Sequence, residues 1–141
     1  MERQFCTFQL DRLFFGIEVL QVQEVIRSQQ MTRVPLAGRA VRGLINLRGQ
    51  IVTAIDLRER LGLAPFAADR QPMNVVVRTD EGAVSLLVDE IGDVLEVDGA
   101  AFERPPDTLR GPACGLVRGA FKLPDRLLMV LDAEAVLTLS P

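Results

Sequence analysis

The sequence predicts an all-β protein in which one small unit occurs twice. Three observations predict it. Apolar residues recur at every second position over short runs, turn-forming residues separate the runs, and the second half of the chain repeats the order of elements in the first.

The elements follow in chain order. Cys6, Phe8 and Leu10 alternate with Phe5, Thr7 and Gln9, and Phe15, Ile17 and Val19 alternate with Phe14, Gly16 and Glu18. With Asp11-Arg12 between them, these runs predict a hairpin with one face on a core. Val22, Val25 and Ile26 fit either a helical turn or a strand; a short turn leading into a strand is favoured, and on a regular strand Val22 and Glu24 share a face. Thr32-Arg33-Val34-Pro35 and Gly38 mark an exposed connection. Val41 to Leu47 and Ile51 to Asp56 predict a second hairpin, with Gly49 supplying the positive φ of a tight turn. Leu57 and Leu61 frame a short helical turn ended by Gly62. Residues 64–72, with Pro65 and Pro72, read as a linker. Beyond it the pattern restarts. Asn74 to Thr79 and Ala83 to Asp89 form a hairpin around Asp80-Glu81-Gly82, and Val94, Leu95 and Val97 continue it. Arg104-Pro105-Pro106 breaks the chain, and Gly115 to Leu123 pairs with Leu127 to Asp132 around Pro124-Asp125-Arg126. Asp132 then caps a short C-terminal helix.

The repeat has two offsets. At 69 residues Phe8 falls on Val77, Ile17 on Leu86, Val22 on Ile91, Glu24 on Asp93 and Val25 on Val94. At 76 residues Gly43 falls on Gly119, Ile45 on Phe121, Ile55 on Leu131, Asp56 on Asp132 and Leu61 on Leu137. Five short strands per half suit a small closed or nearly closed barrel, which removes most exposed strand edges. The expectation is one domain over residues 1–141, with residues 1–68 as the first barrel and 69–141 as the second, strand exchange between them being allowed.

Composition excludes several function classes. The net charge is −3, and the 15 arginines and single Lys122 are scattered among 19 acidic residues, so there is no basic face for nucleic acid. No apolar run approaches the ~20 residues of a membrane-spanning helix. The N-terminus moves directly into alternating sequence without a signal-peptide pattern, so a cytoplasmic location is expected. Cys6 and Cys114 are read as free, buried thiols. The chain has no histidine, which removes the commonest general base and the Ser-His and Cys-His nucleophile pairs. Only Ser28, Ser85 and Ser140 could serve as serine nucleophiles, and no nucleotide-binding motif occurs. Asp89, Glu90 and Asp93 read as solvated loop charges rather than as a catalytic or metal-binding cluster. No enzyme, metal or cofactor is expected. Arg48 stands at the tip of an otherwise apolar hairpin. It is either solvated or a planar donor to a carboxylate or carbonyl, on a partner or across the barrel seam.

The stretch Val41-Arg42-Gly43-Leu44-Ile45-Asn46-Leu47-Arg48-Gly49-Gln50-Ile51-Val52, followed by Ile55-Asp56-Leu57-Arg58, resembles the CheW-type coupling proteins of bacterial chemotaxis. Phe15-Gly16-Ile17, Val22-Gln23-Glu24-Val25-Ile26, Thr32-Arg33-Val34-Pro35, Leu87-Val88-Asp89, Asp93-Val94-Leu95 and Leu131-Asp132 support it, so the resemblance runs from Phe8 to Leu137. Thr53-Ala54 departs from the Pro-Val more usual there. The resemblance implies two packed, five-stranded SH3-like barrels and a non-enzymatic adapter. It implies binding to the cytoplasmic tip of a chemoreceptor, to the regulatory domain of a CheA-type histidine kinase and to other CheW-like domains, in arrays reached through these partners. Val22 and Glu24 match positions tied to partner binding, and Gly43 and Arg48 match positions where change disturbs coupling. A related adapter of a pilus, gliding or second-messenger pathway is the first alternative, and a small ligand-binding barrel the second.

Overall fold

The computed structural model describes residues 2–27, 30–35, 38–80, 82–107, 109 and 111–137, with nothing said of the Pro112 side chain. Glu81, Ser28 and Ser140 lie outside the described residues. Among the described residues ten strands and two short α-helices follow in order: β1 (Glu2–Leu10), β2 (Leu13–Glu18), β3 (Val22–Ile26), β4 (Val41–Leu47), β5 (Gln50–Asp56), α1 (Leu57–Leu61), β6 (Met73–Thr79), β7 (Gly82–Val88), β8 (Glu90–Asp98), β9 (Val117–Lys122), β10 (Leu127–Leu131) and α2 (Ala133–Leu137). Val19, read as part of the second strand, instead begins a 3-10 turn, Val19–Gln21.

The strands form two five-stranded sheets. The first has the order β8-β1-β2-β10-β9 and the second β3-β6-β7-β5-β4. The sheets are therefore not residues 1–68 and 69–141. Each takes a hairpin from one half and three strands from the other, so the halves are interlaced. Replacing each strand of one half by its counterpart in the other converts one order into the other.

The register carries the same repeat. Val22 pairs with Val77, and Ile91 with Phe8; Val25 pairs with Val75, and Val94 with Cys6. Both pairings slip at the same place, between Val22 and Glu24 on β3 and between Ile91 and Val94 on β8. Val41–Ile55 and Gly43–Ala54 recur as Val117–Leu131 and Gly119–Val130. The parallel contacts β5–β7 and β2–β10 correspond as well.

Neither ladder closes, but one short bridge draws the edges of each sheet together. Thr32, just after β3, exchanges hydrogen bonds of 2.9 and 2.8 Å with Leu44 on β4. Glu103, after β8, does the same with Ala120 on β9 at 2.8 and 2.9 Å. The main core lies between the sheets and takes Phe8, Phe15 and Ile17 from the first and Val75, Val77 and Leu86 from the second. Each sheet also keeps a small core of its own: Phe5, Phe14, Phe121, Leu128 and Val130 in the first, and Leu47, Val52 and Val76 in the second. The shared core is the larger, so the halves depend on each other for burial.

The helix ends form as their sequences dictate. Asp56 Oδ1 accepts from Glu59 N at 3.1 Å, and Asp132 Oδ1 from Ala135 N at 3.1 Å. Gly62 closes α1 at φ 74°. Residues 64–72 have no regular structure, yet they are held down. Phe66 is buried, and the Ala64 carbonyl accepts from Arg58 Nη1 at 2.8 Å.

Candidate functional site

All four residues singled out from sequence lie in the second sheet. Val22 and Glu24 are on its edge strand β3, Gly43 is on β4 and Arg48 is in the β4–β5 turn. β3 and β4 are opposite edges in pairing order, and Arg48 reaches across to β3, where Nη2 forms an ion pair with Glu24 Oε2. The Arg48 side chain is 74% exposed and that of Glu24 18%. The hydrogen bond from Arg48 holds the Glu24 carboxyl below the ordinary range, against a smaller opposing effect of burial.

Local geometry explains why the arginine stands there. Arg48 and Gly49 have φ values of 52° and 88°, consecutive left-handed residues of a two-residue hairpin turn. Asn46 Oδ1 accepts from Gly49 N at 2.9 Å and fixes the turn. Val22 and Glu24 do not share a face. The bulge at Gln23 sets Val22 opposite Val77 and Glu24 opposite Val76, and neighbouring residues of β6 point to opposite sides. Val22 therefore packs on the shared core, while Glu24 turns towards the hairpin tip. Val25, 43% exposed, and Ile51, 61% exposed, add apolar surface on β3 and beside the tip.

Gly43 sits under the bridge. A Cβ there would lie 2.6 Å from the Thr32 carbonyl oxygen, a backbone atom with little freedom to move. Its counterpart Gly119 faces the Glu103 carbonyl in the same way, at 2.5 Å. Only glycine lets the bridging segment lie on the strand at these two positions.

The sequence reading missed a second polar cluster. Asp89, read as a solvated loop charge, is buried at the junction of β7 and β8. Arg58 of α1, also buried, grips it bidentately, Nε to Oδ1 at 2.8 Å and Nη2 to Oδ2 at 2.6 Å. Arg58 Nη2 also reaches Asp11 Oδ1 at 2.5 Å, and Asp11 N donates to Asp89 Oδ2 at 2.8 Å. Phe66 lies beneath the guanidinium at 5.1 Å. Burial works against the Asp89 carboxylate, but the Arg58 and Asp11 hydrogen bonds and the Arg58 charge outweigh it and leave its pKa below the ordinary value. Donating to the Asp89 carboxylate holds the Arg58 pKa above its usual range. The cluster ties the β1–β2 turn, α1 and the β7–β8 junction together. Arg58 and Asp89 each fall in a stretch that carries the family resemblance, Ile55-Asp56-Leu57-Arg58 and Leu87-Val88-Asp89, but nothing along the chain links the two.

The two thiols are free, but Cys6 is half-buried and Cys114 exposed, so neither is the buried thiol expected. Among the described residues, no group of three or more His, Cys, Asp or Glu side chains is placed to hold a metal ion. No helix among them is long and apolar enough to cross a membrane.

Two interlaced five-stranded sheets, with an ion pair joining opposite edges of the second, define a small all-β module of SH3-like type. Residues 4–140 match the family model for the CheW-like domain, and the chain belongs to that family. The chain is similar to the chemotaxis protein CheW of Bacillus subtilis, 32% identical over 130 residues, 92% of this chain and 83% of that protein. It is 29% identical to CheW of Klebsiella aerogenes over 136 residues, 96% of this chain and 82% of that protein. The crystal structure of the scaffolding protein TtCheW from Thermoanaerobacter tengcongensis superposes with a TM-score of 0.87 at 25% identity, covering 99% of this chain and 94% of that one.

Proposed function

We propose that this chain is a non-enzymatic adapter of a chemosensory array, coupling receptors to a CheA-type histidine kinase. It binds the cytoplasmic tip of a receptor and the regulatory domain of the kinase, and reaches the membrane only through them. The observation that carries this reading is the Glu24–Arg48 pair. It joins β3 to the hairpin tip, and the exposed Val25 and Ile51 adjoin its two residues in sequence or across the turn, so that a partner can meet both apolar area and a planar donor. Val22 supports the strand from beneath, and Gly43 holds the edges of the sheet together.

The accessible surface of 8509 Å² is large enough for several partners at about 800 Å² each. Modest individual contacts would be reinforced by the effective concentration of an array.

The test is binding of the purified chain to a kinase regulatory domain and to a receptor-tip fragment. The expected result is binding of both, with Glu24→Arg weakening at least one about tenfold and leaving the melting temperature nearly unchanged, since a pair at the surface contributes little to stability. Absence of both interactions at about 100 μM folded protein, a concentration at which even weak contacts register, would remove the reading.

A further inference from the structure

The chain passes from one sheet to the other twice: from β2 into β3 through Val19–Gln21, and from β7 into β8 through Asp89. The 69-residue offset that superposes these connections places Leu20 on Asp89. The two junctions are built differently. Asp89 is fastened from within by Arg58 and Asp11. The 76-residue offset puts Glu134 at the position equivalent to Arg58, and its carboxylate instead accepts from Asp80 N at 3.3 Å. Leu20 is 90% exposed, the most exposed large apolar side chain among the described residues, and its carbonyl accepts from Arg78 Nη1 at 3.4 Å.

Leu20 stands at the mouth of an open groove of about 340 Å³ lined also by Glu2, Arg3, Glu18 and Glu96. Arg3 does not balance the three carboxylates. Its Nη2 is 2.7 Å from Glu18 Oε1, and its guanidinium lies over the Phe5, Phe102 and Phe121 rings at 5.2, 5.4 and 5.8 Å. The groove therefore shows a protruding leucine beside a net negative rim.

We propose that Leu20 is a docking anchor, inserted into an apolar pocket of a partner protein whose rim carries lysine or arginine side chains. The partner fastens from outside the junction whose equivalent is clamped by Arg58 and Asp89, and so fixes β3 relative to β2. This inference rests on the adapter reading above and adds to it a contact residue and the chemistry of its receptor.

The probes are the kinase regulatory domain and the receptor-tip fragment, titrated against the full chain and its variants. Leu20→Asp should weaken at least one of them by about tenfold or more, as loss of an anchor does. Leu20→Ala should weaken it less, and Leu20→Met should stay within about threefold of the parent because methionine fills apolar pockets adaptably. Melting temperatures should be unchanged throughout. Glu96→Lys should weaken the same interaction and reduce its salt dependence. If the parent chain binds and Leu20→Asp and Leu20→Ala bind equally well, the anchor is wrong and the adapter stands. Binding that falls with the Leu20 variants but ignores both salt and Glu96→Lys overturns the basic rim. A parent chain that binds neither probe removes the adapter reading and this inference with it.

Discussion

The two sheets share strand order, register and even the position of a bulge, yet they are filled differently. In the first, Phe5 and Phe121 pack with ring centroids 5.5 Å apart, and Phe5 lies against Gly16, where a Cβ would come within 3.1 Å of its own. The equivalent positions in the second sheet are Asn74 and Ser85, a buried polar pair in which Ser85 Oγ donates to Asn74 Oδ1 at 2.7 Å. The hairpin tips diverge too. In the first sheet Arg126 lies over the Phe14 ring at 3.7 Å. In the second Arg48 reaches out to Glu24 on the far edge. The repeated backbone thus serves two ends. One copy lays aromatic and cationic groups against a core, and the other joins a charged pair across its edges.

The largest expected effect comes from the clamp that only one junction has. Arg58→Ala would leave Asp89 buried without its partner, and breaking a buried pair in this way costs about 3–5 kcal/mol. Chemical denaturation measures it. The same residue sets an acid dependence. The folded-state pKa of Asp89 is depressed, so the unfolded chain binds the proton more tightly. The stabilisation is complete above the unfolded carboxylate value of about 4 and is lost as pH falls through the folded value. Arg58→Ala should therefore flatten the fall in stability below about pH 4. A parent-like acid profile in that variant would place the acid sensitivity elsewhere.

The bridges come next. Gly43→Ala and Gly119→Ala each push a Cβ against a backbone carbonyl, at 2.6 and 2.5 Å, and Gly119→Ala also meets the Phe102 ring. Overpacking of this kind costs about 1–3 kcal/mol, with Gly119→Ala the more severe. The comparison is sharpest in binding. Under the proposed function, Gly43→Ala displaces the segment beside the β3 edge and weakens partner binding, whereas Gly119→Ala, on the other sheet, lowers stability alone. Equal loss of binding in both would mean that coupling simply tracks global stability.

Much of this was legible along the chain because the information is local. Period-two alternation set the strands, Leu57, Leu61 and Gly62 announced the first helix and Asp132 the second, and matching residues at two offsets announced the repeat. Interlacing was not legible, since the offsets relate the halves to each other without saying which hairpin completes which sheet. The buried Arg58–Asp89 pair was missed for a related reason. A charged residue beside a strand end is ordinarily solvated, and only the fold brings α1 onto the β7–β8 junction. The bulge at Gln23 adds one residue to β3 and so moved Glu24 off the face of Val22, a change that alternation cannot reveal. Glu24 and Arg48 were each visible as candidates; that they meet was not, because β3 and β4 are opposite edges of one sheet.

The smallest effect separates backbone from charge at the hairpin tip. Arg48 occupies a left-handed conformation at φ 52°, which costs a residue bearing a Cβ roughly 1–2 kcal/mol and glycine little. Its surface ion pair with Glu24 returns little of that. Arg48→Ala keeps the backbone cost and loses the pair, so stability should fall slightly. Arg48→Gly loses the pair but relieves the backbone, so it should match or exceed Arg48→Ala by roughly 0.5–1 kcal/mol, less whatever glycine adds to the freedom of the unfolded chain. If the guanidinium itself meets a partner, both variants weaken binding to the same extent despite their different stabilities. If the turn is what matters, Arg48→Gly and Arg48→Ala part company in binding as they do in denaturation. Measuring both quantities on the two variants decides whether this arginine acts by shaping the tip or by what it presents beyond it.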